Sequence, residues 1–314
     1  MLEDNNKVKQ LKKFGEQLFT FFLYLWSMMS FSMAQRVGWL LGSIVACFNS
    51  DIKRVTTKNI ELCFPDLSQY HKKRLIKNAI RHTFVTGAEM PAILFKKPNK
   101  LLENIHTVYN KELMQKLYEE GRSIMILGPH IGCWEIGSMY YPQHYPAAML
   151  YTPPKIKILD KLIYQARSRL CKRMSPANHK GVKMLFQAMK NKEVVAMLSD
   201  QVPVDAGGTY IDFFGVPAKT MNFPGKLYER FKPAVVVSYA VRNGIGKGIT
   251  LYIDDLAPEI EEAQKIPGIE DPVGYAFTKH FEEVIRKFPA QYQWGYKRFK
   301  YNPEGIDFYK KDKQ

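Results

Sequence analysis

The chain has 314 residues, 46% of them apolar, which is enough to bury a sizeable core and excludes a disordered polymer. Its 46 Lys and Arg against 30 Asp and Glu leave a formal charge of +16, a field that draws anionic partners over roughly a Debye length. Nucleic acid, anionic lipid and an acidic carrier protein all qualify on charge alone. The four cysteines (Cys47, Cys63, Cys133, Cys171) lie far apart without a Cys-x-x-Cys pair, which argues against a zinc knuckle and a disulfide framework and fits a reducing compartment.

In chain order, residues 17–35 carry no charge, and Arg36 alone separates them from a second uncharged stretch, residues 37–50. As one helix the first run would extend about 28 Å, close to the roughly 30 Å hydrocarbon core of a bilayer. Its serines and Thr20 dilute it, and Phe21, Phe22, Tyr24 and Trp26 equally suit an amphipathic helix lying in the interface. Both readings bring this end to lipid. A cleaved signal peptide is disfavoured, since no small-residue cleavage site follows the run. Lysines flank both sides (Lys7, Lys9, Lys12 and Lys13 before, Lys53 and Lys58 after), so orientation is not set by charge. Residues 1–50 are therefore expected to form an N-terminal membrane-associated helical segment with a hydrophobic membrane-binding helix.

From residue 51 to about 100 the pattern is helical, with Ser68 as an N-cap. Then follow a helix near 110–119, a strand over 123–127, a helix from about Trp134, helices over 158–173 and 180–190, and a strand over 194–198. Strands alternating with helices predict βαβ units and an α/β fold, a mostly parallel central sheet flanked by helices. Residues 234–242 and 249–254 are strand-like, with Asn243-Gly244 as a turn signal between them, and 273–288 are helical. Residues 51–314 read as a single domain.

Ligands of such sheets collect beyond the carboxyl ends of the strands. The strand over 123–127 runs into Gly128-Pro129-His130, and Ile131-Gly132-Cys133-Trp134-Glu135 leads into a helix. Two residues five apart on one helix differ by about 140° in azimuth. His130 and Glu135 can therefore converge only with His130 in the loop and Glu135 in the first helical turn. A carboxylate on one ring nitrogen would free the other to take a proton from a hydroxyl. The bland alternative is a histidine at a helix N-terminus with Glu135 answering the dipole. The other six histidines show no metal-ligand spacing, there is no Gly-x-Ser-x-Gly elbow, and the glycines at 244, 246 and 248 lack a Gly-Lys-Ser/Thr end.

The segment Gly128 to Glu135 resembles the His-x4-Asp/Glu motif of lysophospholipid-type acyltransferases, in particular the lipid A late (secondary) acyltransferases. More segments match that branch in order: Lys58-Asn59-Ile60-Glu61-Leu62-Cys63-Phe64-Pro65, then Tyr151-Thr152-Pro153-Pro154-Lys155. Ser199-Asp200-Gln201 with Gly207-Gly208 and Phe213-Phe214-Gly215-Val216-Pro217-Ala218 resemble its Asp-Gln block, and Gln291-Tyr292-Gln293-Trp294 with Arg298-Phe299-Lys300 its closing signature. The resemblance covers about residues 20–303. Thr152 and Gly295-Tyr296-Lys297 depart from it, where basic residues and His or Arg are common.

The resemblance implies a glycerol-3-phosphate/lysophospholipid acyltransferase-like fold. It also implies transfer of an acyl chain from an acyl carrier protein, or less often acyl-CoA, to a hydroxyl of an acylated lipid A precursor. His130 would be the base, partnered by Glu135, with no covalent intermediate, no metal and no cofactor beyond the acyl-carrier co-substrate. An anion donor is needed for the tetrahedral intermediate. Arg167 and Arg169 flank the apolar stripe of the 158–173 helix symmetrically, so periodicity leaves both open, and the family match selects Arg167. Asp200 ends the strand over 194–198, which puts a second polar group at the same sheet edge as His130, and it would orient substrate or Arg167. Gln201, Gly208, Phe213, Phe214 and Gly215 are carried over as substrate-binding, with the two phenylalanines lining an acyl channel or packing in the core. Expected partners are acyl carrier protein, an anionic glycolipid and the cytoplasmic face of a bacterial inner membrane, not nucleic acid. Two alternatives stand beside this: another glycolipid or lysolipid acceptor, such as a mannosylated phosphoinositide, and a non-enzymatic membrane-surface polyanion binder.

Overall fold

The structure, a computed structural model, describes residues 2–203 and 207–310, with side chains described from Lys13 onward. Helices α1 (Leu2–Ser27), α2 (Phe31–Val45), α3 (Asp51–Cys63), α4 (Gln69–Phe95) and α5 (Pro98–Leu102) open the chain. Ser30, Ser50 and Ser68 start three of them, each hydroxyl accepting a bond from the N–H three residues on. The uncharged run therefore divides. Helix α1 ends at Ser27 and α2 begins anew, and no helix among the described residues is long and apolar enough to cross a membrane. The single-pass alternative for residues 1–50 is not supported. Helix α2 instead spends one face on α4, where a Cβ on Gly38 or Gly42 would lie 2.7 Å from Val85 Cα or 2.6 Å from Arg81 Cα. The side chains of Lys7, Lys9 and Lys12 lie outside the described residues.

Next come β1 (Ile105–Tyr109), α6 (Lys111–Glu119), β2 (Ile124–Gly128), α7 (Trp134–His144), β3 (Ala147–Tyr151), α8 (Lys157–Ser168), β4 (Arg173–Pro176), α9 (His179–Lys190) and β5 (Val194–Leu198). A hairpin of β6 (Gly208–Phe213) and β7 (Val216–Met221) follows. The chain then forms α10 (Phe223–Phe231), β8 (Ala234–Arg242), β9 (Ile249–Asp255), α11 (Ala257–Lys265) and α12 (Pro272–Lys287).

Seven strands form one sheet in the order β1-β9-β8-β2-β5-β3-β4. All neighbours are parallel except β8 and β9, so β9 and β1 run against the other five. This is the expected mostly parallel sheet with helices around it. Every residue of β2 is buried, the continuous apolar run of a strand covered on both faces. Phe277, Phe281 and Trp294 lie in the largest buried cluster with the sheet residues Met125, Leu127, Val195 and Val237.

Two sequence expectations change. The helix expected over 158–173 stops at Ser168, because the chain turns there to lay down the edge strand β4. The β8–β9 hairpin forms, but its connection is six residues, closed by Asn243 N–H donating to Gly248 O at 3.0 Å. Strands β1, β3, β4, β6 and β7 were not anticipated, since runs of four to six residues carry too little periodicity to register.

Candidate active site

Strands β2 and β5 are adjacent and parallel, with Gly128 opposite Leu198. Residues two beyond that pair on each strand thus emerge side by side at the carboxyl edge, and they are His130 and Asp200. Asp200 accepts the His130 backbone N–H at 2.9 Å through one oxygen and the ring Nδ1 at 2.6 Å through the other. Burial pushes the Asp200 carboxyl up, but the His130 ring, its bonds and Arg298 more than offset that, so it sits below its ordinary value. An ionised Asp200 fixes the Nδ1–H tautomer and leaves Nε2 with its lone pair outward. The amide of Gln201 lies 3.5 Å from Nε2 and donates to Gln293 Oε1 at 3.1 Å. At that separation Gln201 neighbours Nε2 without a firm bond.

The loop that carries His130 is clamped from both sides. Gln293 N–H donates to His130 O, and Gly132 N–H to Gln291 O, both at 3.0 Å, while Cys133 N–H donates to Ala240 O at 2.7 Å. Gly132 has φ 56°, and a Cβ there would stand 2.1 Å from Ala240 O, so only glycine fits. Burial above all, and then the Asp200 carboxylate, hold the Tyr292 hydroxyl well above the usual phenol range. Behind the loop, Cys133 Sγ–H donates to Glu89, which also takes two bonds from the buried Arg242 and one from Gln35 of α2.

Glu135 stands in the first turn of α7, as expected, yet it is not the partner of His130. Its two oxygens accept Arg167 Nε at 3.1 Å and Arg167 Nη2, a bidentate fork across α7 and the end of α8. The Nδ1 position is already held by Asp200, which the register of β2 and β5 brings alongside it. The two carboxylates thus have other partners than expected: Asp200 bonds His130, and Glu135 bonds Arg167. Burial lowers the Arg167 pKa and Glu135 raises it further, so the net shift is upward.

Tertiary structure also separates Arg167 from Arg169. Arg169 turns back to the end of α4, donating to Ile93 O and Lys96 O at 2.7 Å each, the capping role of a cation at a helix C-terminus. Arg167 is left to the site, and its Nη1 has no protein partner among the described residues.

Beneath the Glu135–Arg167 pair a cavity of about 100 Å³ runs between α7, α8 and the sheet. Trp134, Met139, Met149, Leu170, Met174, Ala196 and Leu198 line it. None of this lining was anticipated, because methionines scattered over four elements (Met139, Met149, Met174 and Met197) share no motif. The proposed channel residues lie elsewhere. Phe214 (φ 53°) and Gly215 (φ 75°) form the two-residue β6–β7 turn, and Gly208 lies opposite Met221 at the other end of that hairpin. Phe213 and Phe214 are buried in the aromatic cluster with Phe64, Trp294 and Phe299. They are core, and the buried Arg298 ties the hairpin in by donating to Lys219 O and Thr220 Oγ1 at 2.6 Å. Gln293, Tyr292 and Arg298 were visible only as parts of the closing signature.

The profile of the family described as bacterial lipid A biosynthesis acyltransferase matches residues 1–301. The chain is 22% identical over 287 residues to a lipid A biosynthesis lauroyltransferase of Escherichia coli, covering 90% of each chain. It is 25% identical over 284 residues to a lipid A biosynthesis palmitoleoyltransferase of the same species, again covering 90% of each. Against a lipid A biosynthesis acyltransferase of Haemophilus influenzae it is 25% identical over 259 residues, 80% of this chain and 78% of the other. With a whole-length profile match, the chain belongs to the bacterial lipid A biosynthesis acyltransferase family, and it is an acyltransferase.

Proposed function

We propose that the enzyme moves a fatty acyl chain from an acyl carrier protein thioester to a hydroxyl of an acylated lipid A precursor, by direct attack with His130 as general base. The observation that carries this reading is the His130–Asp200 pair at the sheet edge, its imidazole against Trp134 on the wall of the apolar cavity that Arg167 also lines. Nε2 takes the acceptor hydroxyl proton as the oxygen attacks the thioester carbonyl carbon. The carbonyl electron pair moves to oxygen, and Arg167, pinned by Glu135, donates to that oxyanion. Collapse breaks the C–S bond, and the leaving thiolate recovers the proton from Nε2. No acyl-enzyme and no cofactor are required. Glu135 acts here as a positioning residue, and Gln201 with Gln293 borders the space where the acceptor hydroxyl must sit.

The cavity suits the donor acyl chain, since flexible thioethers adapt to an aliphatic tail. The acceptor is supported by the names of the relatives, lauroyl and palmitoleoyl transferases of lipid A biosynthesis. Membrane contact is supported by α1 and α2, which expose Phe14 (65%), Phe22 (59%) and Leu40 (61%) to solvent, with Phe48 (63%) just beyond α2. Scattered apolar residues are ordinary, but a set this dense on one helix pair marks a lipid contact. Such a protein lies on the membrane without crossing it.

Purified enzyme with acyl carrier protein thioester and a lipid A precursor should yield a product heavier by one acyl chain in mass spectrometry. His130→Ala should lower turnover by about 10²–10⁴ while precursor binding persists. Full transfer by that variant sinks the mechanism, and equal transfer to a lysophospholipid or a mannosylated phosphoinositide sinks the acceptor assignment.

A further inference from the structure

Helix α2 carries an exposed apolar stripe, Leu40, Leu41 and Ile44, toward its C-terminal end, and Phe48 continues it three residues beyond. There α3 and the N-terminal half of α4 continue past it and enclose a groove of about 380 Å³, with Ala46 at its edge. The groove is lined by Lys53, Lys72, Lys73 and Lys77 against one carboxylate, Glu61. Lys72 is committed, donating its ammonium to Pro65 O at 2.6 Å. Lys53, Lys73 and Lys77 have no carboxylate partner among the described residues. Three unneutralised ammonium groups around one concavity repel each other, and nothing within the fold requires them to gather there.

We infer that this groove holds the anionic phosphate of a membrane phospholipid headgroup, and that it sets how deeply and with what tilt the enzyme sits on the bilayer. The inference rests on the reading of α1 and α2 as lipid-facing helices. Its own support is the continuity of the two surfaces: hydrocarbon-seeking side chains end where the lysines begin. An anionic bilayer presents those two chemistries side by side, acyl chains beneath a phosphate layer. An acidic carrier protein would match the lysines but offer no apolar plane to the stripe beside them. The groove lies on the helical layer before the sheet, built from α3 and α4, and shares no lining residue with the cavity under Arg167.

The test is flotation of the full chain with phosphatidylcholine vesicles and with vesicles of phosphatidylcholine and phosphatidylglycerol at 3:1. The variants are Lys53→Gln/Lys73→Gln/Lys77→Gln and, separately, Leu41→Ser/Phe48→Ser. The unmodified chain should partition to the anionic vesicles more strongly, and the triple lysine variant should lose on the order of a hundredfold there at low salt. That variant should bind the neutral vesicles unchanged and keep the parent melting temperature. The serine variant should weaken binding to both vesicles. An anionic preference that survives the triple substitution overturns the inference alone, as does a triple variant whose only loss is affinity for acyl carrier protein. Failure of the unmodified chain to bind either vesicle overturns the membrane reading and the groove with it.

Discussion

Replacing Asp200 with Asn changes one atom's identity at the centre of the site, and its effect can be worked out from two bonds. Asp200 is 4% exposed and accepts both the His130 backbone N–H and the ring Nδ1–H. An amide has one acceptor oxygen. If it faces the backbone N–H, its NH₂ faces Nδ1, which must then become the acceptor and leave the proton on Nε2, where a base needs a lone pair. Restoring the working tautomer costs a buried hydrogen bond, about 1–3 kcal/mol, and the imidazolium formed during transfer loses a charge-assisted bond of about 1.5–3 kcal/mol. Together these correspond to a loss of roughly 10²–10⁴ in kcat. The assay is single-turnover transfer from radiolabelled acyl carrier protein, run beside His130→Ala and the double variant. Because the two residues act as one unit, the double variant should be scarcely slower than the worse single. Glu135→Gln provides the contrast: it leaves the His130–Asp200 bonds in place, so its loss should combine multiplicatively with Asp200→Asn. The pairing described above is refuted if Asp200→Asn stays within threefold of the parent, or if Glu135→Gln shows the non-additivity with His130→Ala expected of Asp200.

Gly132→Ala should nearly abolish transfer, because its Cβ would meet Ala240 O at 2.1 Å in a left-handed backbone; a soluble, folded variant with parental kcat would contradict this. Glu89→Ala strips the partner from Arg242, a side chain fully out of solvent, and should cost about 3–5 kcal/mol, a fall of roughly 4–8 °C in Tm by calorimetry. Ala196→Leu adds bulk to the cavity wall and should shift donor preference to shorter chains, each methylene that no longer fits costing about 10–200-fold in kcat/KM; an unchanged chain-length profile would remove the cavity from the acyl path. At the opposite end of the sheet, His280 bonds Asp254 at 3.0 Å and Glu259 at 3.1 Å. Burial lowers its pKa, but the two carboxylates outweigh that and raise it above the ordinary value. Its contribution to stability is therefore full below the unfolded histidine value and lost as pH rises through the higher folded one. His280→Gln should lower Tm by more at pH 5.5 than at pH 9, and equal losses at both would show that the ring's charge plays no part.

Much of the site is legible in the sequence. The strand running into Gly128-Pro129-His130 and the helix opening at Trp134 are local features, set by an apolar run, a proline and two glycines, and they form where expected. The alternation of strands and helices likewise predicted a mostly parallel sheet, because periodicity reports burial on one face or two. The partner of His130 was beyond such reading. Glu135 is near it in sequence, and Asp200, 70 residues away, is near it only because β2 and β5 pair with Gly128 opposite Leu198. Register between strands is a property of two segments at once, and no spacing within either encodes it. For the same reason periodicity left Arg167 and Arg169 equivalent until the end of α4 arrived to claim one of them. The uncharged run at 17–35 belongs to the same class. Its composition alone allowed a membrane span, and Ser30 with the packing of Gly38 and Gly42 on α4 made it two helices. Composition and local spacing thus determined the chemistry available and the sheet edge that presents it, while contacts between distant segments decided which charged groups meet.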